Sequence, residues 1–328
     1  MNLREFLPVL MLATIGASFP TSAQQPEKVH RIAHLVVGPV QPAANIENTP
    51  FRRAVRARGW IEGRNVFTDR RFAATEQEAR PVAAAMVKTG PALIVVLGGA
   101  LAYVVRQETT TIPIVALAAG DLVSMGLAAS LARPGGNVTG VQVMQTDLAG
   151  KRLSVLRELV PGLRKATALH WASPDSAVFA TFERDFLRAG AALGIAVQMR
   201  GMGSAGPGPI FRELVAQGTQ GLLLTGGAAT SNYRAEIFDL AQRSRIASIC
   251  DTSFYAHSGC LVSYGFSVEE VGQQAAAIVD KILKGASPAQ IAIEQPTKFE
   301  FVINMKTAKA LGITIPQAVL VRADEVIQ

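Results

Sequence analysis

Three patterns in this chain combine residue types and spacings that could do chemistry. Gly201, Gly203 and Gly206 match G-x-G-x-x-G between an apolar run and a helical one, the form in which backbone amides receive a dinucleotide pyrophosphate. Pro207 and Pro209 interrupt the tight strand-to-helix turn this needs. About twenty residues on, where an acidic residue would take the ribose, the chain is apolar (221–225). The glycines therefore read as a surface loop. His30, His34, His170 and His257 are the four histidines; the first two share one face of a strand but have no third ligand nearby, so core or rim positions fit them better than a metal. Cys250 and Cys260 match no zinc spacing, and the sequence leaves open whether they pair or stay as buried thiols. There is no Walker loop or G-x-S-x-G elbow, and no nucleophile, base and orienting group can be placed together.

What remains is binding chemistry at strand ends, and the elements say where those ends fall. Short β-branched runs alternate with amphipathic helical stretches, which indicates α/β architecture with parallel sheets. Strands are predicted at 30–37, 66–72, 93–97, 114–118 and 137–143. The pattern then restarts, with strands at 166–171, 195–199, 221–225, 247–250, 261–264 and 298–303. Helices are predicted at 50–58, from the capping box at 75–78 to Lys88, at 100–108, 147–160, 174–193, 209–217 and 231–243, and from the capping box at 267–270 to Lys284. Two similar halves follow, with no linker rich in Pro, Gly or Ser between them.

In open α/β sheets ligands bind beyond the carboxyl ends of strands. That selects Gly38, Gly98, Gly99, Ala100, Asp121, Trp171, Thr225, Asp251 and Tyr264 as ligand-binding candidates. The bare amides from Gly98 onward open a helix and suit an anion. Asp121 suits an ammonium group, or caps the segment after it. Trp171 suits stacking, or plugs the second half.

Bulk composition excludes other classes. The chain has 328 residues, 49% hydrophobic, with a net charge of +7 and a pI near 9.7. The bases are scattered (Arg52, Arg53, Arg56, Arg58, Arg70, Arg71, Arg157, Arg164, Lys165), and aromatics are only 6%. A nucleic-acid surface needs clustered bases and stacking rings, so these read as solvated helix faces and no nucleic-acid partner is expected. At the N-terminus, Arg4, an apolar run from Phe6 to Phe19 and small residues up to Ala23 form the pattern of a cleaved secretory signal peptide, and the mature chain is expected in the periplasm.

The last third adds a different kind of information. Residues 281–288 (KILKGASP), 294–304 (EQPTKFEFVIN), 306–313 (KTAKALGI) and 321–327 (VRADEVI), with ARPGGNVTG at 132–140, resemble the solute-binding proteins of ABC transporters, in the branch of tryptophan- and tyrosine-type binders. The resemblance implies two Rossmann-like lobes of the type I periplasmic-binding-protein architecture, three inter-lobe crossings and a ligand in the cleft. It implies lobe 1 at 28–142 plus 266–295 and lobe 2 at 143–265 plus 296–328, after a signal peptide at 1–23. It implies a monomer that is no enzyme, uses no cofactor, and captures a small polar solute, an amino acid or small carboxylate, for an inner-membrane permease and its ATPase. A ligand sensor acting on a membrane receptor and a nucleotide-dependent enzyme are the alternatives. Asp121 and SYG at 263–265 match the family's pattern. VVGP at 36–39, Gly99 and Ala100 stand where relatives carry hydroxyls, and GGA at 226–228 stands where they carry Pro-Asp-Pro; a less polar ligand is therefore expected.

Overall fold

The computed structural model describes residues 29–37, 47–73, 76–143, 148–170, 177–202, 206–227, 230–231 and 233–328. Gly38, Trp171, Gly203, Ala228, the helix start at Thr75 and the signal-peptide pattern lie outside them.

The first half builds one sheet. Its elements are β1 (His30–Val37), α1 (Pro50–Ala57), β2 (Val66–Ala73), α2 (Glu76–Val87), β3 (Leu93–Leu97), α3 (Gly99–Glu108), β4 (Ile114–Ala119) and β5 (Val138–Gln142). The five strands are parallel, in the order β2-β1-β3-β4-β5. Ile94, Val95 and Val96 in β3 are fully buried, as a strand covered on both faces must be. Thr49 caps α1 by accepting from the Arg52 amide, and Pro50 takes the first turn, where its missing N–H costs nothing.

The second half begins with α4 (Ala149–Leu159) and continues through β6 (Lys165–His170), α5 (Ala177–Leu193), β7 (Ala196–Gly201), α6 (Pro207–Ala216), β8 (Gly221–Leu224), α7 (Arg234–Arg243), β9 (Ala247–Cys250), α8 (Ser253–His257) and β10 (Val262–Phe266). The chain then leaves. α9 (Val268–Leu283) returns to the first sheet, where Val271, Ala275, Ile278, Val279 and Ile282 bury their stripe against Phe51 and Val55 of α1 and Val95 and Val115 of the strands. Each large side chain so buried is worth about 1.5–3 kcal/mol against exposure. After α9 the segment around Glu294 runs along β5, with the Gln142 amide donating to the Glu294 carbonyl and the Glu294 amide to that of Gly140. The chain crosses once more into β11 (Phe299–Asn304), α10 (Met305–Leu311), α11 (Gln317–Leu320) and β12 (Glu325–Ile327).

The second sheet runs β12-β11-β10-β9-β8-β6-β7. It departs from the expected parallel pattern at two strands, since β11 pairs antiparallel with β10 and β12 runs parallel to β11. The cause is the third crossing: β11 enters the sheet at the edge from which β10 leaves it, and so must run back beside it. The two lobes are thus joined by three passages, after Val143, between Phe266 and Val268, and between Gln295 and Phe299. Each begins or ends at the carboxyl ends of β5 or β10 or at the start of β11, which turns the carboxyl edges of the two sheets toward one another.

The scattered bases are not all solvated. Arg52 is 6% exposed, donating to Thr68 Oγ1 (2.9 Å), Glu62 Oε2 (2.8 Å) and Glu47 Oε1 (3.1 Å), and Arg70 joins the same cluster through Glu47 at 3.6 Å. A guanidinium this well surrounded by acceptors can be withdrawn from water.

Candidate functional site

The carboxyl edge of the first sheet presents three features. Leu97, the last residue of β3, is 56% exposed although every other residue of that strand is buried. Gly98 follows with φ 86°, a conformation that favours glycine, and caps α3 without any side-chain hydrogen bond, so no side-chain cap occupies the positive end of that helix's dipole. Met125 covers Gly99 closely enough that a Cβ there would lie 2.7 Å from its sulfur. In β4 the register shifts between Ala116 and Ala119, and Ala118 takes φ 47°. Such strain in a non-glycine residue concentrates at functional edges.

Asp121 stands just beyond β4. Its Oδ1 accepts from the amides of Val123 and Ser124 (3.1 Å each) and its Oδ2 from the Ser124 hydroxyl (2.6 Å). The Ser124 hydroxyl and these amides hold its carboxyl below the usual range. The capping role is the one the structure displays.

The carboxyl edge of the second sheet is more polar. Thr225 is buried and donates its hydroxyl to the Leu169 carbonyl (3.3 Å). Asp251 is buried at the end of β9, with Oδ2 accepting from the Gly226 amide at 2.6 Å. Burial pushes its carboxyl up, opposed by the charge of Arg152 and by that amide. Tyr264 turns its ring to the core side, stacked on Phe299 (6.5 Å) and edge-on to Phe301 (6.0 Å), while its carbonyl accepts from Arg152 Nε at 2.8 Å. The edge thus brings Thr225, Asp251 and the Tyr264 backbone together on β8, β9 and β10, and Gly98, Gly99, Ala100 and Asp121 stand together on the opposing edge.

Sequence reasoning passed over Arg152. It is 1% exposed, although it sits in a helix rich in charges. The signal was present: Ala149, Arg152, Leu153, Leu156 and Leu159 fall on one stripe at helical spacing, and all are buried. Burial lowers the affinity of its guanidinium for its proton, while Asp251 raises it.

The disulfide question is closed: Cys250 and Cys260 are bonded, with Cα atoms 6.6 Å apart, inside the core beneath α7 and α8. The bond staples both ends of the segment that begins with Asp251. Gly201 ends β7, an edge strand, and Gly206 caps α6 with φ 73°. Neither opens the first strand–helix turn of its sheet, where a dinucleotide would sit. Between the three crossings, a cavity of about 130 Å³ is lined by Gln142, Val143, Leu148, Phe266, Gln295, Pro296 and Phe299. Among the described residues no group of three or more His, Cys, Asp or Glu is placed to hold a metal, and no helix is long and apolar enough to cross a membrane.

Comparison with known proteins gives this geometry a family. The chain is 24% identical over 276 residues, 83% of its length and 78% of the relative's, to the tyrosine-binding protein of Clostridioides difficile (strain R20291). In structure it resembles a conserved domain protein of Vibrio cholerae O1 biovar eltor (TM-score 0.80, 24% identity, 91% of this chain and 100% of that one). It also resembles the ABC domain from Streptococcus pneumonia solved in complex with L-Trp (TM-score 0.78, 21% identity, 92% and 100%). The model of the family described as ABC transporter substrate binding protein matches residues 40–327, and the chain therefore belongs to that family of substrate-binding proteins.

Proposed function

We propose that this protein captures a small solute, an amino acid or related carboxylate, between its two lobes and presents it to an inner-membrane permease and its ATPase. The observation that carries the reading is the set of three short passages at the facing carboxyl edges. Such a joint permits hinge closure about a ligand and needs no bond made or broken. The lobes fall at 28–142 plus 266–295 and 143–265 plus 296–328. The first lobe offers the amides at Gly98, Gly99 and Ala100 to an anionic group and exposed Leu97 to an apolar one, with Asp121 beside them. The second lobe offers Thr225, Asp251 and Tyr264; Trp171 and Gly38 enter this reading from the sequence alone. The relatives named for tyrosine and bound to L-Trp support a solute with an aromatic side chain. The apolar run before Ala23 supports export to the periplasm, and action as a monomer accords with the two-lobed site lying within one chain.

The test is a thermal-shift screen of amino acids and small carboxylates. A true solute at a hundred times its Kd adds about 2.7 kcal/mol of stability. A panel without effect on the folded protein would reject the reading. Co-purification with a permease from native membranes, rather than with a receptor, checks the transport half.

A further inference from the structure

The amino edge of the second sheet, on the far side of that lobe from its carboxyl edge, carries a cavity of about 510 Å³. Small-molecule sites occupy about 300–1,000 Å³. Its walls are apolar where α4 and α10 end, at Leu159, Val160, Leu311 and Ile313. Two of its polar groups are already engaged. Thr219 Oγ1 shares a hydrogen bond with Thr167 Oγ1 (3.3 Å), and Gln220 Oε1 accepts the amides of Arg164 (2.8 Å) and Lys165 (3.2 Å). Two are open. Among the described residues neither the Arg245 guanidinium nor the Thr314 hydroxyl has a hydrogen-bond or ion-pair partner.

Arg245 stands in this wall on an unusual backbone. Its φ is 54°, and among the described residues Ala118 is the one other non-glycine residue with a positive φ. Arg245 follows the end of α7, where its amide donates to the Gln242 carbonyl (3.0 Å) and the Ile246 amide to that of Ala241 (2.9 Å). The same pair of bonds closes α1, α5, α6, α8, α9 and α10, and in each of them the residue at this position is glycine, because the left-handed conformation crowds a Cβ. The helix dipole does not explain the exception, since α7 already has Arg243 in its last turn. A side chain held in a crowded conformation without a partner points to function. The helices that end at this edge would by themselves disfavour an anion. The carbonyls of Leu156, Ala241 and Ala308 are, however, taken by the amides of Val160, Ile246 and Ile313, which blunts those negative ends.

We propose that this cavity is a second ligand site, separate from the cleft, and that it takes a small organic anion with an apolar body. The body lies against the four apolar side chains, and its carboxylate meets Arg245, with the Thr314 hydroxyl as a further donor. A guanidinium fork matches a carboxylate. No Asp or Glu lines the cavity among the described residues, so an ammonium finds no counter-charge there. The site does not rest on solute capture in the cleft, which lies at the opposite edge of the sheet.

The probes are naphthoate, the neutral naphthamide of the same shape, and naphthylmethylammonium, each titrated into the isotope-labelled protein and followed by amide NMR. Naphthoate is expected to move the amides of Arg245, Gly312 and Thr314, to leave those of Gly98, Gly99 and Ala100 in place, and to bind at least tenfold more tightly than either analogue. Arg245→Gln is expected to weaken it at least tenfold. Arg245→Gly removes the crowding together with the guanidinium, so its Tm should hold level or rise while naphthoate binding is lost. Equal binding of the three probes, shifts confined to the carboxyl edges, or unchanged affinity in Arg245→Gln overturns the proposal. A fall in the Tm of Arg245→Gly also overturns it, because Arg245 would then serve the fold.

Discussion

Glu270, in the first turn of α9, accepts the backbone N–H of Lys298 at 2.8 Å, so one carboxylate ties the second inter-lobe passage to the third. It also accepts from the amide (3.1 Å) and hydroxyl (3.0 Å) of Thr297. Partial burial pushes this carboxyl up, but the Lys298 and Thr297 amides outweigh it and hold it below the usual glutamate range. The 267–270 segment reads as a capping box in the sequence. Ser267 plays its part, accepting from the Glu270 amide, while Glu270 reaches across to Thr297 and Lys298 of the third passage instead of back to Ser267.

Glu270→Ala should therefore loosen the joint. The expected cost is about 1–2 kcal/mol of unfolding free energy, the range for removing one acceptor from several donors that water can partly reach. Chemical denaturation measures it, and small-angle scattering of the ligand-free protein should show a wider spread of lobe separations. An unchanged profile in both would assign the clamp no mechanical role.

Much of this was legible because local pattern decides local structure. The strands at 30–37, 93–97 and 247–250 stand where the alternation put them, since a buried run flanked by Gly or Pro has few other fates. Where α9 and β11 go was not legible from periodicity, because an amphipathic stripe does not say which sheet buries it; the family resemblance supplied that. The site was the least legible part. Arg152 reads as one more surface base until its place on a buried stripe is weighed, and Asp121 offers the same residue type to a ligand and to its own turn.

Acid should destabilise the fold through two histidines. Burial, then the charges of Arg70 and Arg52, lower the His34 pKa from 6.5 to about 3, and burial alone lowers that of His170 to about 4. The unfolded chain therefore binds protons that the folded chain refuses. Their contribution is complete above pH 6.5 and is lost as pH falls toward 4, at up to about 1.4 kcal/mol per pH unit for each histidine. Denaturant titrations at pH 7, 6 and 5 should show this slope. His170→Phe, in contact with Phe179 and Phe182, should remove about half of it; a slope unchanged in that variant would assign the acid lability elsewhere.

The disulfide should contribute to stability roughly what its span implies. It closes a loop of sequence separation 10, for which loop-closure entropy gives about 3 kcal/mol. Both sulfurs are buried, so mild reductant should leave the native protein oxidised. Cys250→Ser with Cys260→Ser should lower stability by about 2–4 kcal/mol in thermal or denaturant unfolding. Because the staple ends immediately before Asp251, the double variant should also bind solute more weakly under conditions where it is fully folded. Unaltered affinity there would confine the bond to a structural part.

Leu97 gives the sharpest separation of binding from folding. It ends a buried strand yet is 56% exposed, so replacing it costs the fold little, within about 0.5 kcal/mol as for most surface positions. If the facing carboxyl edges enclose the solute, closure covers Leu97 with the ligand's apolar part, and its side chain then contributes through area removed from water. Leu97→Ser should weaken an aromatic solute by about 1–2 kcal/mol, some five- to thirtyfold in Kd. A glycine-sized solute should be affected far less, since it leaves that surface wet. Calorimetry of the wild type and Leu97→Ser with one aromatic and one small amino acid decides the matter. Equal losses for the two, or none for either, would move the apolar subsite away from the end of β3.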